Sequence, residues 1–368
     1  MKVLFCSPYL SNDDVLKGGI NTWGRHIISY YNTEYKGDLS IIPVSFDRKV
    51  YNRKSNGALK KILLGLREFR KPVSEVVHYI NNENIDVIHL CTSAGYGLFR
   101  DMLLVSIAKR KGVKAVIHLH FGRIPELALL NNWEWKLFRQ VANRANLIVV
   151  MNRPTEDTLK SHGYNNIVYL PNPISQSILD KINQLKGNFV QVPRRILFAG
   201  HVIKTKGVYE LVEACNQIQN IELRIVGRCS PEMKHELEHI AHDKDNGDWM
   251  HIIGEQSQDD LIKEYLQADL FVFPSYTEGF PNVILEAMAS KCMVLSSNVG
   301  AIPEMLDIDY CPCGLCFNPQ NKDEIVNAIN KVIDDNDTKI LLSQRANERV
   351  NMMYSMSKIW EQLVKIWE

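Results

Sequence analysis

Short apolar runs and longer helix-patterned stretches alternate twice along this chain, and that alternation leaves few folds open to it. In the first half the apolar runs are residues 3–6, 39–44, 87–90, 115–119 and 147–151, with helical patterns near 20–32, 98–111 and 133–144. A second set follows at 195–199, 223–226, 251–253, 270–273 and 293–296, with helices near 208–219, 233–242, 258–268, 283–290 and 324–334. Strands that alternate with helices build parallel, doubly wound sheets. At 368 residues the chain exceeds what one core usually supports, so an α/β protein of two such domains is expected. Strand continuity stops at Leu170-Pro-Asn-Pro-Ile174 and a polar stretch, 175–193, follows, which puts the domains at 1–174 and 175–350, with a helical tail over 351–368.

Composition narrows the function classes. Hydrophobic residues at 45%, charged residues at 23% and a formal net charge of +1 describe a soluble globular protein with no global electrostatic support for nucleic-acid binding. The start, MKVLFCSP, has too short an apolar run for a signal peptide, and no run is long enough to span a bilayer, so a cytoplasmic location is expected. The eight cysteines then read as free thiols. Cys311, Cys313 and Cys316 cluster, but a closed zinc site needs four ligands and no second knuckle stands nearby.

The richest segment is FPSYTEGFPNVILEAMASK, from Phe273 to Lys291. It sets two carboxylates, Glu278 and Glu286, seven residues apart around a glycine turn and a helix start. Free N–H groups in a first helical turn favour phosphate oxygens, and carboxylates accept hydrogen bonds from sugar hydroxyls, so the pattern suits a sugar joined to a phosphate. Upstream, Lys17-Gly18-Gly19-Ile20 opens the first helix with a glycine pair that lets backbone approach a phosphate, and Ala115-Val-Ile-His-Leu-His-Phe-Gly122 ends a strand with two histidines on one side of the pleat.

The 273–291 segment closely resembles the signature of retaining glycosyltransferases with the GT-B fold, family four. The resemblance implies two Rossmann-like doubly wound domains facing each other across a cleft, with a nucleotide-sugar donor bound there and the last helix crossing back to the first domain. It assigns Glu286 to the ribose hydroxyls and Glu278 to the donor sugar, with Gly279, Phe280, Pro281 and Asn282 lining the pocket. Phe198-Ala-Gly-His-Val-Ile-Lys-Thr-Lys-Gly207 matches the family's phosphate loop: Lys206 takes the place of its lysine, whereas His201 stands where an arginine is usual, and Lys204 is positioned to compensate. A histidine has an unperturbed pKa near 6.5, so a permanent cation is replaced by a titratable one. Gly18 and Gly19 fall where the family contacts the donor pyrophosphate, Arg228 and Glu255 where its base-binding loops lie, and His120 at its cleft mouth; His118 reads as core. The stretch Cys313 to Phe317 occupies the place of a family turn. The resemblance implies neither a metal nor another cofactor, since the family lacks the Asp-x-Asp pair with which the other main glycosyltransferase fold holds a divalent ion, and the Asp-Asp pairs that suggest one, Asp13-Asp14 and Asp259-Asp260, lie in polar turns or helix starts.

From 59 to 80 an apolar stripe (Leu59, Ile62, Leu63, Leu66, Phe69, Val73, Val77) is flanked by Lys60, Lys61, Arg67 and Lys71. Such a helix either packs on its own domain or lies on an anionic membrane, and Pro72 is expected to interrupt it. The function expected is hexose transfer from a UDP- or GDP-sugar to a glycan or lipid-linked acceptor in surface polysaccharide synthesis, at or near the inner membrane face. Its catalytic set is His120, Lys206 and Glu278. The alternatives are a GT-B epimerase or phosphorylase, or a non-catalytic nucleotide-sugar-binding protein.

Overall fold

The computed structural model describes residues 1–10, 18–47, 58–241, 249–308 and 310–368, with side chains left aside over 58–68. Lys17, Asp13 and Asp14 therefore lie outside the described residues, as do the side chains of Leu59, Ile62, Leu63 and Leu66 in the 59–80 stripe. Contacts divide the chain into two compact units, Met1–Pro173 together with Ile359–Glu368, and Ile174–Lys358.

The first unit runs β1 (Lys2–Ser7), α1 (Gly19–Thr33), β2 (Ser40–Ser45), α2 (Ala58–Asn82), β3 (Val87–Thr92), α3 (Gly97–Lys111), β4 (Lys114–Leu119), α4 (Ile124–Leu130), α5 (Trp133–Ala142), β5 (Leu147–Val150), α6 (Arg153–Ser161) and β6 (Ile167–Tyr169). Its six strands are parallel, in the order β2-β1-β3-β4-β5-β6. All six residues of β3 are buried, as expected of a strand covered on both faces. The edge strand β6 is only partly buried along its three residues, and its apolar run, Ile-Val-Tyr, is too short to announce a strand as the others do. Pro72 does not interrupt α2. The helix continues through it and buries Val76 and Ile80 in the core, so one missing N–H is tolerated where packing holds the turns that follow.

The second unit contains α7 (Gln176–Leu185), β7 (Arg195–Ala199), α8 (Val208–Cys215), β8 (Glu222–Val226), α9 (Pro231–Ala241), β9 (Met250–Gly254), α10 (Gln258–Gln267), β10 (Leu270–Phe273), α11 (Asn282–Ala289), β11 (Met293–Ser297) and α12 (Ile302–Leu306). A small hairpin, β12 (Asp307–Ile308) with β13 (Cys311–Pro312), then leads to β14 (Leu315–Phe317), α13 (Lys322–Val332) and α14 (Asn336–Met353); the last helix, α15 (Met356–Trp367), belongs from Ile359 onward to the first unit. The sheet order is β14-β11-β10-β7-β8-β9, again parallel. Three sequence expectations are corrected here. The polar stretch after 175 holds α7, capped by Ser175, whose hydroxyl accepts from Ile178 N–H, and anchored by Ile178, Leu179 and Ile182. The turn expected over 313–317 is largely strand, because Leu315 to Phe317 pair with β11. The helical tail also breaks at Tyr354-Ser355, where Ile174 N–H donates to the Tyr354 carbonyl at 2.8 Å.

β7 is flanked by β8 on one side and β10 on the other, so the chain reverses its direction across the sheet at this point. Loops that follow the strands at such a reversal diverge, and their divergence opens a crevice at the carboxyl ends of the strands.

Candidate functional site

The loops that leave β7 and β10 flank that crevice, and glycine brings them together. Gly207 closes a single 3₁₀ turn, Lys204–Lys206, with φ +67°, and a Cβ there would stand 2.0 Å from the Pro274 carbonyl oxygen. Both the left-handed backbone and the space exclude a larger residue. Tyr276 N–H then donates to the Thr205 carbonyl at 2.9 Å, tying one loop to the other. The result is an ion pair between groups 72 residues apart: Lys206 Nζ lies 2.5 Å from Glu278 Oε1 and 5.5 Å from the centre of the Phe273 ring. Glu278 is held from its other side as well. Ala301 N–H donates to the Gly279 carbonyl at 3.1 Å, and a Cβ on Gly300, at φ +58°, would come within 2.1 Å of the Glu278 carbonyl oxygen.

Three residues beyond Gly279 the chain enters α11, with Pro281 at its cap. Phe280 is buried edge-on against Tyr354 with ring centres 5.5 Å apart, which fixes the entry to the helix. Glu286 lies one turn into α11 and is buried; its Oε2 has no hydrogen-bond partner among the described residues. Burial pushes its pKa up to about 7, while Gln258 and Tyr265 draw it the other way. A buried carboxyl with an unused oxygen is matched by a ligand that brings its own O–H donors.

His201 and Lys204 are exposed on the β7 loop. Arg228, past β8, is exposed and lies 3.6 Å from Glu255. Gly227 at the end of β8 is required by space, since a Cβ would meet the Gly200 carbonyl oxygen at 1.7 Å. The structure thus brings Lys206, Glu278 and the 279–282 loop together, with Arg228 paired elsewhere. Sequence reading missed Gly300, whose signal was the Ser-Asn-Val-Gly turn following a strand in the same sheet.

The other predicted residues belong to the first unit. Gly18 caps α1 with extended backbone, φ −178°, and neither Gly18 nor Gly19 has any atom within 4 Å of a built Cβ. These glycines leave open space; the backbone does not demand them. His120 follows β4, with its ring 4.1 Å from that of His118 and 4.8 Å from that of Trp23. Its Nε2 is buried without a partner among the described residues, and burial lowers its pKa to about 3, so it is neutral at pH 7. His89, which sequence reading passed over, completes a chain: Trp367 Nε1 lies 3.1 Å from His89 Nδ1, and His89 Nε2 lies 3.3 Å from His118 Nδ1.

That chain bears on metal binding. His89, Cys91 and His118 place one ligand atom each within 4.8 Å of one another, the group of this kind found among the described residues. An indole N–H only donates, so His89 Nδ1 accepts and its Nε2 carries the proton. The lone pair a metal would need at Nε2 is thereby occupied, and the three residues fit a hydrogen-bonded core better than a metal centre. Cys311, Cys313 and Cys316 are free thiols, with Cys313 buried and the other two exposed.

Comparison with known proteins gives the family and the fold. The family described as glycosyl transferases group 1 matches residues 148–349, and glycosyltransferase family 4 matches residues 47–177. An uncharacterized glycosyltransferase of Methanocaldococcus jannaschii is 30% identical over 223 residues, 60% of this chain and 56% of that protein. The capsular polysaccharide biosynthesis glycosyltransferase CapM of Staphylococcus aureus is 27% identical over 194 residues, 50% of this chain and 47% of its own length. The chain thus spans about half the length of these two relatives. Among solved structures, Anabaena HepE in complex with UDP and glucose superposes with a TM-score of 0.68 at 18% identity, covering 99% of this chain and 98% of that one. The two parallel sheets accordingly have the GT-B fold.

Proposed function

The chain belongs to the glycosyl transferases group 1 family, and from that premise we propose that it is a retaining, metal-independent glycosyltransferase that moves a hexose from a nucleotide-sugar to a glycan or lipid-linked acceptor. CapM acts in capsular polysaccharide synthesis by its name, which supports a surface glycan as the product, and the UDP held by HepE supports a uridine donor. The observation that carries the reading is the meeting of Lys206 with Glu278 at the point where the second sheet reverses, beside the helix that buries Glu286.

Each group has a task that its surroundings suit. As the bond from sugar to phosphate loosens, negative charge gathers on the departing diphosphate, and the Lys206 ammonium stands ready to meet it. Glu278, already satisfied by that ammonium, orients sugar hydroxyls; a carboxylate committed to a cation is a poor nucleophile toward the ring carbon, which favours reaction on one face without a covalent glycosyl-enzyme. Glu286 accepts from the ribose hydroxyls. His120, neutral at pH 7, offers hydrogen bonding to the acceptor rather than charge. The test is transfer from a panel of UDP- and GDP-sugars, with the product's anomeric configuration read by NMR, in the presence and absence of a chelator. Retention that persists under chelation is expected; inversion, or loss of turnover on chelation, would refute the mechanism.

A further inference from the structure

A sheet covered on both faces is normally apolar throughout, yet one face of the first sheet carries a row of histidines. The parallel register sets Phe5 opposite His89 and Cys91 opposite His118, and alternate residues of a strand share a face, so His89, His118 and His120 rise on the same side. Trp23 from α1 and Trp367 from α15 close over them. The His89 ring lies 5.5 Å from that of Phe5, 5.8 Å from that of Trp23 and 5.9 Å from that of Trp367, and all four side chains are buried. An imidazole in such company is costly unless its nitrogens are hydrogen-bonded.

The bonds they make run in one direction only. Trp367 Nε1–H donates to His89 Nδ1 at 3.1 Å, so the proton of a neutral His89 sits on Nε2 and is donated to His118 Nδ1 at 3.3 Å. Burial holds the pKa of His118 well below its ordinary value, so this ring is neutral as well and its own proton sits on Nε2. The series ends at that N–H. His118 Nε2 is buried with no acceptor among the described residues, and the ring 4.1 Å from it is that of His120, whose Nε2 is unpaired in the same sense.

We propose that Trp367, His89 and His118 are positioning residues for His120: a relay of one-way donors that fixes the tautomer and the plane of the ring against which His120 packs. The inference rests on the proposed function, in which His120 meets the acceptor. Trp23, 4.8 Å from His120 and 4.7 Å from His118, is the second ring that holds the pair. The relay is also closed to protons. His118 Nδ1 already accepts from His89 and its Nε2 already carries a hydrogen, so a proton that reaches His120 has no way inward through these rings. What the relay supplies is placement, and a reacting group displaced by an ångström loses rate steeply.

The experiment compares His89→Leu, His89→Gln, Trp367→Phe and Trp360→Phe in the full chain by transfer kinetics, UDP calorimetry and nitrogen NMR of labelled imidazoles. In the wild type His118 should be protonated on Nε2 alone. A purely structural site among aromatic rings would prefer leucine to glutamine, but only the glutamine amide can still donate to His118 Nδ1. His89→Leu should therefore let His118 populate both tautomers and lower kcat by about tenfold at unchanged UDP affinity, whereas His89→Gln keeps the tautomer and most of kcat. Trp367→Phe should lower kcat by about threefold, while the same change at Trp360, whose Nε1 in the same helix has no partner among the described residues, should leave it unaltered. Mixed tautomers of His118 in the wild type, a leucine variant as active as the glutamine one, or equal losses from the two tryptophan variants would each overturn the relay. A wild type that binds UDP yet transfers no sugar would instead count against the proposed function and take the relay's part in transfer with it, while the His118 tautomer would still decide whether the relay exists.

Discussion

Replacing Gly207 with alanine tests the contact on which the second unit's site is built. Two costs are expected. Holding alanine at φ +67° costs about 1 kcal/mol or somewhat more, as for any L-residue in the left-handed region. The new methyl would also stand 2.0 Å from the Pro274 oxygen and 2.8 Å from its carbonyl carbon, against ordinary contacts of 3.4–4 Å, so the loops must part by more than an ångström. Parting them strains or breaks the Tyr276 to Thr205 hydrogen bond, worth about 1 kcal/mol, for a total near 3 kcal/mol. Gly254→Ala supplies the comparison, because its φ is +83° but no atom lies within 4 Å of a Cβ. That variant should lose only the backbone term, about 1 kcal/mol. Urea denaturation of both gives the stability difference, and calorimetry with UDP should show affinity reduced by about tenfold or more in Gly207→Ala, as Lys206 moves from its place. Equal destabilisation of the two variants, with UDP binding intact in Gly207→Ala, would refute the claim that this close approach sets the site.

Further outcomes follow from the same geometry. Glu286→Gln should weaken UDP binding by about 1–3 kcal/mol. The same change should stabilise the ligand-free protein at pH 8: with its pKa raised to about 7, the native carboxyl binds more protons than the unfolded one between roughly pH 4.5 and 7, so wild-type stability falls as pH rises through that window. Thermal melts across pH check this, and parallel wild-type and variant profiles would contradict it. UDP affinity should in turn rise with pH through about 7, because ribose hydroxyls favour the ionised carboxylate; a flat calorimetric profile would remove Glu286 from the ribose. Lys206→Ala should lower kcat more than it raises KM, since diphosphate charge peaks during departure, and unchanged kcat would leave Lys206 a binding role alone. If His201 helps hold the diphosphate, His201→Ala should lower kcat at saturating donor and His201→Arg should restore it; an alanine variant with unaltered kcat would dismiss the idea.

What the sequence disclosed depended on how each element is buried. β3 and β10 were legible because covering both faces makes a strand apolar throughout, as in Leu270 to Phe273. β6 and β14 are apolar too, Ile-Val-Tyr and Leu-Cys-Phe, but each is three residues long and lies at an edge of its sheet, so neither run is long enough to stand out. α7 did leave a signal, a serine cap ahead of Ile178 and Ile182, but its polar remainder reads as linker. The glutamate signature and the phosphate loop were each visible as motifs. Their union was not, because Lys206 meets Glu278 only through the sheet's reversal and the approach of Gly207 to Pro274, both set by tertiary structure. His89 is a further case: nothing in Val-Ile-His-Leu-Cys-Thr announces that the register sets Cys91 beside His118 or that Trp367 arrives to fix a tautomer.

The most direct measurement is release of nucleoside diphosphate from a donor panel, followed in wild type, Lys206→Ala and Glu286→Gln. Wild-type protein should turn over at least one UDP- or GDP-sugar, Lys206→Ala should be slow even at saturating donor, and Glu286→Gln should require more donor. Wild-type binding of UDP without turnover of any donor would mark a non-catalytic nucleotide-sugar-binding protein, and turnover indifferent to both substitutions would place the reaction somewhere other than the meeting of the β7 and β10 loops.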